Sequence, residues 1–380
     1  MKAQRRTCVV WPPASNHFVF AILTIILGML LQVQPAQAQG CIVARSSSVA
    51  SGPQTQGGYM APGEWDIAVG YRHQYSFRHF VGDVEQKQRI QMGNQVMNKI
   101  NLLNLNVTYQ ATRRFSFTVS APLLLASRRS NNSPYTTTAQ GLGDTILTAQ
   151  GWIWKPSGES AGNASFGLGI MLPTGRKDVV NRVDAFDGRG PRDIVLDYSI
   201  QPGSGGYGLV LQWQSFRNVS RATQLYLNAN YIATPQNTNN VLRSSTSANP
   251  LTMYNSISDQ YLVQGGIARA MSRVRGLTLT FGPRWEGVPA KDLIGDSLGF
   301  RRPGYAVSLE PGIQYTRGMS LFTFSVAKAI RRDRTRSVPD RITGGHGDAA
   351  FADYVWFASY SYRFGGRGRN THRDVDGTNN

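Results

Sequence analysis

Between residues 65 and 364 apolar and polar side chains alternate one by one in long runs. The first run places Trp65, Ile67, Val69, Tyr71, Tyr75 and Phe77 on one face and Asp66, Ala68, Gly70, Arg72, Gln74 and Ser76 on the other. A period of two belongs to a β-strand, because successive strand side chains point to opposite faces. Leu103, Leu105, Val107 and Tyr109 repeat it, and so do Phe115, Phe117, Val119 and Ala121. Leu225, Leu227, Ala229 and Tyr231 repeat it again, as do Leu277, Leu279, Phe281 and Trp285, and then Tyr305, Val307, Leu309, Ile313 and Tyr315.

Twelve strands follow: 65–77, 99–109, 115–125, 143–154, 164–173, 206–216, 223–233, 259–271, 277–287, 304–316, 321–330 and 350–364. A soluble sandwich also alternates, with one dry face and one wet face. Three features favour a membrane barrel. Many runs reach the roughly 10 residues that a tilted span needs, against a mean of about 5–6 in soluble sheets. Connections alternate: 78–98, 126–142, 174–205, 234–258, 288–303 and 331–349 are long, whereas 110–114, 155–163, 217–222, 272–276 and 317–320 are short. Long external loops and short periplasmic turns are the outer-membrane rule, and an even strand count leaves both ends inside. The last run alternates Trp356, Ala358, Tyr360, Tyr362 and Phe364, an aromatic strand of the kind barrel-assembly machinery recognises. The expectation is all-β: a single transmembrane antiparallel up-and-down barrel of about 12 strands over 65–364. Trp65, Tyr109, Phe115, Trp154, Tyr315 and Phe364 are placed for an interfacial girdle. Two local assignments stay open. In 259–271 either Tyr261, Val263 and Ile267 or Leu262, Ala268 and Ala270 face lipid. Segment 192–200 is read as structure within the third long loop, since a thirteenth wall strand would spoil the parity.

The other segments fit export. Lys2, Arg5 and Arg6 precede an apolar run from Phe18 to Leu31, too short for a helical span, and Ala36-Gln37-Ala38 is a small-x-small cleavage site. Residues 1–38 read as a signal peptide, 39–64 as a flexible periplasmic leader and 365–380 as a disordered polar tail. Only Cys41 remains after cleavage, which excludes an internal disulfide, and Gln39 makes a poor lipoprotein signal. The localisation expected is the Gram-negative outer membrane. The formal charge of +18 first suggests a polyanion partner. Divided by segment, +7 lies in the long loops, +7 in the short turns and none in the strands. The excess therefore sits at the two rims, facing phospholipid and lipopolysaccharide, and no nucleic-acid partner is expected. A balanced wall also weakens an acidic-oligosaccharide porin, which needs an arginine excess inside.

A strand opening on Gly141-Leu142-Gly143-Asp144, followed by Leu172-Pro173-Thr174-Gly175, resembles outer-membrane barrels of the phenol-degradation meta-pathway transporter type, loosely related to hydrophobic-compound channels. Gln201-Pro202-Gly203-Ser204-Gly205 and Gly344-Gly345-His346-Gly347-Asp348 look like features of a subgroup. The resemblance implies passive uptake or efflux of small solutes, aromatic or hydrophobic ones among them; fold alone does not fix function.

Catalytic signals are thin. Gly203-Ser204-Gly205-Gly206-Tyr207-Gly208 fits a dinucleotide pattern but leads into a strand, not the helix such a site needs. An outer-membrane lipase would use a lipid-facing His with a Ser, and His73 shares the apolar face of its strand, yet no Ser motif accompanies it. His346, Asp348, Asp353 and Asp340 lack metal-ligand spacing; His346 and Asp348 read as a loop ordered by glycine turns. Neither an enzyme, a cofactor nor a metal is expected. The inward set is more informative: Asp66, Arg72, Asp144, Arg284, Glu286 and Glu310. Shared parity predicts that Arg72 and Arg284 meet Glu286, Glu310 and Asp144 at a constriction on a solute path. The competing function is a non-transporting barrel that works through its long loops.

Overall fold

The computed structural model describes residues 58–157, 160–243 and 249–366. The expected signal peptide, most of the expected leader, Cys41 and the expected polar tail lie outside the described residues. Twelve wall strands are formed: β1 (Glu64–Ser76), β2 (Val96–Gln110), β3 (Phe115–Ser130), β4 (Thr145–Trp152), β5 (Gly162–Leu172) and β6 (Gly208–Asn218). They continue as β7 (Thr223–Ala233), β8 (Gln260–Ala270), β9 (Leu277–Val288), β10 (Gly304–Arg317), β11 (Ser320–Asp333) and β12 (Tyr354–Gly365). Each pairs antiparallel with the next, and β12 pairs with β1 from Glu64–Gly365 to Gln74–Val355, so the sheet closes. Closure leaves no strand edge for lipid to meet. Among the described residues no helix is long and apolar enough to cross a membrane; the strands cross.

The alternation is turned inside out relative to a soluble protein. Val69, Leu105, Val119, Leu168 and Ile170 are 45–51% exposed on the outer surface, while Arg72 and Arg284 inside are 1% and 0% exposed. Such a surface suits hydrocarbon and disfavours the soluble alternative. Trp65, Phe115, Trp154, Tyr315 and Phe364 stand exposed at the turn end of the wall, and Trp65 packs on Tyr109 with ring centroids 4.7 Å apart. Ile267 is 48% exposed while Leu262 and Ala268 are buried, so the Tyr261, Val263 and Ile267 face of β8 points outward.

The wall departs from expectation on the external side of β2 to β4. β3 runs on to Ser130, and Thr136–Leu142 pairs with its outer half, so the expected loop 126–142 shrinks to a short hairpin. Thr136–Leu142 is the outward arm of β4, interrupted at Gly143 and Asp144; both arms pair with β3. The third long loop does not enter the wall: Val180–Val183 pairs with Arg192–Val195, and a turn of 3-10 helix follows at Tyr198–Ile200.

Candidate functional site

Mid-height in the barrel, inward side chains from six strands interlock. β1 supplies Arg72 and Gln74, β9 supplies Arg284 and Glu286, and β10 supplies Glu310. Arg72 Nη2 lies 2.9 Å from Glu286 Oε1, Arg284 Nη2 lies 2.8 Å from Glu286 Oε2, and Arg284 Nη1 lies 3.5 Å from Glu310. Gln74 Oε1 accepts from Arg72, Gln264 of β8 donates to Glu310 at 2.9 Å, and Ser325 of β11 donates to it at 2.6 Å. The Arg72 and Arg284 guanidinium carbons stand 5.4 and 4.5 Å from the Phe357 ring centroid of β12. Two cations and two anions thus cancel. Charges can be held at 0–8% exposure only because each has a partner. In this arrangement the paired groups are out of contact with water.

On the periplasmic side of the belt lies a chamber of about 350 Å³. Asp66 of β1 faces it, held by Arg363 of β12 at 3.4 Å. The rest of its wall is mostly amide and hydroxyl, including Gln150, Gln212, Gln214, Asn228 and Asn230. Its mouth receives Gly58 and Tyr59, which precede β1: Arg363 donates to Gly58 O at 2.7 Å, and the Tyr59 ring packs edge-on against Trp152 at 5.1 Å. Gly58 and Tyr59 are therefore seated in the barrel mouth.

On the external side the interior is filled. Leu196 and Ile200 of the third loop pack on Ile100, Leu102, Leu124, Ala126 and Ala139 of the wall. Between them Asp197 accepts two bonds from Arg302, both 2.8 Å, and meets Arg128 at 3.4 Å. Burial alone would raise this carboxyl, but Arg128 and Arg302 hold it well below the usual carboxylate range. Arg301 pairs with Asp292 at 2.6 Å nearby.

Asp144 is not part of the belt, which corrects the expected constriction. It sits where the two arms of β4 break, and accepts from Gly175 N at 3.2 Å, Ser204 N at 2.7 Å and Ser204 Oγ at 2.6 Å. Inward parity carried it to the right face, but the break turns it toward loop backbone. The motif residues assemble here. Thr174 Oγ1 donates to Gly143 O at 2.7 Å and accepts from Thr145 N, while Pro173, without an N–H, follows the end of β5. Pro202 packs over Gly141. A Cβ on Gly203 would stand 2.2 Å from Gly175 O, so only glycine allows this approach. The Gly-Asp, Pro-Thr-Gly and Gln-Pro-Gly-Ser-Gly segments thus form one fastening between wall and loop.

The histidines are structural in their surroundings. His73 faces outward, its Nδ1 2.8 Å from Asn101 Oδ1, which also accepts from Tyr71. Among the described residues no serine is hydrogen-bonded to it. His346 Nε2 lies 2.6 Å from Arg334 O, and Asp348 meets His79 at 2.7 Å and Arg89 at 2.8 Å. Burial alone would raise the Asp348 carboxyl; its bond to His79 and the charge of Arg89 bring it below the usual range. Asp340 caps the helix at Val338–Thr343 and pairs with Arg334; Asp353 pairs with Arg78 and Arg332. The four loop groups are separately engaged.

Sequence reasoning missed Gln74, Gln264, Ser325 and Phe357 in the belt, all with inward parity. It also missed the loop stopper, whose signal was present: apolar Leu196 and Ile200 inside a long loop need something to pack against.

No family model matches the chain, and no curated protein matches it by sequence. Its fold is similar to the crystal structure of an outer membrane channel from Pseudomonas putida F1, with TM-score 0.55 and 12% identity over 83% of this chain and 100% of that one. Looser likenesses, too distant to carry an argument, reach two further barrels. For the translocator domain of the autotransporter NalP from Neisseria meningitidis the TM-score is 0.39 at 11% identity, covering 91% of this chain and 98% of that one. For the Pseudomonas putida toluene transporter TodX it is 0.39 at 10%, covering 86% and 96%. At this identity the likeness is one of fold.

Proposed function

We propose that this twelve-stranded barrel is a gated outer-membrane channel that passes small solutes passively and is not an enzyme. The observation that carries the reading is the charge belt above a polar chamber. A barrel serving only as a scaffold has no need of ion pairs at the centre of its interior, where replacing them by apolar packing is often neutral or stabilising. Salt links, unlike a packed apolar core, can exchange partners without leaving a charge bare, which suits an element that opens. On this reading Arg72, Arg284, Glu286 and Glu310 line the solute path at the gate, Asp66 lines the chamber below, and Asp144 fastens the third loop beside it.

The chain would reach the outer membrane by a signal cleaved after Ala38 and be inserted through recognition of the strand ending at Phe364. Its basic rims would contact phospholipid and lipopolysaccharide. N-terminal sequencing of the membrane-extracted protein checks the cleavage. Single-channel recording checks the path: Arg284→Ala should alter conductance and ion selectivity, and unchanged values would remove the belt from it. A second reading, a non-transporting surface barrel, is favoured by the filled external half; absence of any ion current or liposome swelling from the purified protein would favour it. The resemblance implies aromatic or hydrophobic solutes, and the chamber allows that to be tested directly.

A further inference from the structure

We infer that the inner chamber is a binding site for neutral polyhydroxylated solutes of about monosaccharide size, rather than for aromatic or hydrophobic compounds. The inference rests on the channel reading only for its biological use; the site itself is argued from the chamber wall. Three amide side chains, Gln212 on β6 and Asn228 and Asn230 on β7, face the chamber without a hydrogen-bond partner among the described residues. Elsewhere in the chamber such groups satisfy one another: Ser120 donates to Asn106 at 2.6 Å, Thr108 and Thr118 are 2.9 Å apart, and Gln150 donates to Gln214 at 3.3 Å. The free amides are therefore concentrated at one place. Gln212 lies directly opposite Asn230 in the register and Gln214 opposite Asn228. Directly opposite side chains on one sheet face lie about 4.5–5.5 Å apart at Cβ, so the amides form one patch. Each amide offers two donors and one acceptor oxygen, the mixture that a hydroxyl-rich solute, itself donor and acceptor at every position, can answer.

Charge and apolarity point the same way. The ionised groups of the lining, Asp66 and Arg363, neutralise each other, so the chamber selects neither anion nor cation. The apolar residues of the lining are Ala68, Trp213, Ala229, Leu321 and Met60, with Tyr59 and Trp152 at the mouth, and the polar ones outnumber them. An apolar solute would have to strip water from the amides and return nothing, which costs about 1–3 kcal/mol for each group left unpaired. The aromatic pair at the mouth can cover the C–H face of a sugar ring while the amides hold its hydroxyls. A volume of about 350 Å³ is within the range of sites that enclose small molecules.

The test uses the full mature chain in detergent and in liposomes, with glucose and benzoate as probes. Tryptophan fluorescence is titrated with each probe, and ion current is recorded with each present. The expected result is a saturable response to glucose, at least tenfold weaker in a Gln212→Leu, Asn228→Leu, Asn230→Leu triple variant, with little response to benzoate. Should the triple variant fail to fold, as judged by heat-dependent mobility on gels, Asn228→Ala carries the comparison. Glucose binding without any ion current supports the site and removes the channel reading. Ion current with no glucose response, with equal responses in wild type and variant, or with benzoate preferred overturns the site and leaves the channel reading standing.

Discussion

The two halves of the barrel interior are built on opposite rules. Externally, the third loop and its neighbours pack against inward wall residues, Ile200 is 0% exposed, and Arg301 and Asp197 sit in salt links. Internally, amides and hydroxyls line open space around a neutral Asp66–Arg363 pair. The same strands make both, so the difference comes from what each end is asked to enclose. Short turns of a few residues cannot reach inward, whereas long external loops can, and any apolar residue they carry will bury itself there. The belt marks the border. It teaches that a polar interior can be either a stabilising network or a solute-facing surface, and that pairing distinguishes the two.

Breaking the border should have the largest effect. Arg284→Ala takes one of two arginines from Glu286 and the arginine from Glu310, both at 3–8% exposure, and removing one partner of a buried pair costs about 3–5 kcal/mol. Urea unfolding in detergent should show that loss, and conductance should rise as the two halves join. If the variant unfolds like wild type, the belt is more hydrated than its burial indicates, and the two halves are already continuous.

The next effect lies at the fastening. Asp144→Ala would leave the Ser204 and Gly175 amides unpaired, at about 1–3 kcal/mol for each buried group. Because these bonds hold both ends of the third loop against the broken strand β4, the loop should be cut more readily by trypsin at Arg189 and Arg192 before the wall melts. Equal protease resistance in both proteins would show that the loop is held by Leu196 and Ile200 alone.

A smaller, reversible perturbation is acid. The Asp197 carboxyl is held well below its unfolded value, near 3.9, by Arg128 and Arg302. A depressed carboxylate stabilises above the unfolded value and loses that contribution as pH falls through the folded one. The external latch should therefore stay shut from pH 7 to 5 and loosen only below about 4. Channel opening between pH 7 and 5 would assign gating to another group.

Legibility in the sequence followed the same division. The wall was readable because alternation reports which face each residue takes: Arg72, Arg284, Glu286 and Glu310 were placed together from parity alone. Parity gives direction but not height or local breaks. Asp144 had the right parity and the wrong neighbours, since Gly143 ends one arm of its strand. The external filling was unreadable in detail because loops have no period. Thr136–Leu142 was missed as wall because its run of Thr, Ala and Gly offers no apolar face to alternate.

The smallest expected effect decides the comparison from the other side. Asn228 faces the chamber and makes no hydrogen bond among the described residues, so Asn228→Ala removes nothing the fold uses. Its effect on unfolding should stay within about 0.5 kcal/mol, the range of substitutions away from packed or paired features. Ser325→Ala in the belt, by contrast, removes the 2.6 Å bond to Glu310 and should cost about 1.5–3 kcal/mol, the range for a bond to a charged group. Measured side by side in the same detergent, the two isolate pairing from polarity, because both delete a small inward polar group at neighbouring depths. Equal costs would mean that the inner amides are held in a network after all, and the chamber would then be structure rather than a surface kept free for solute.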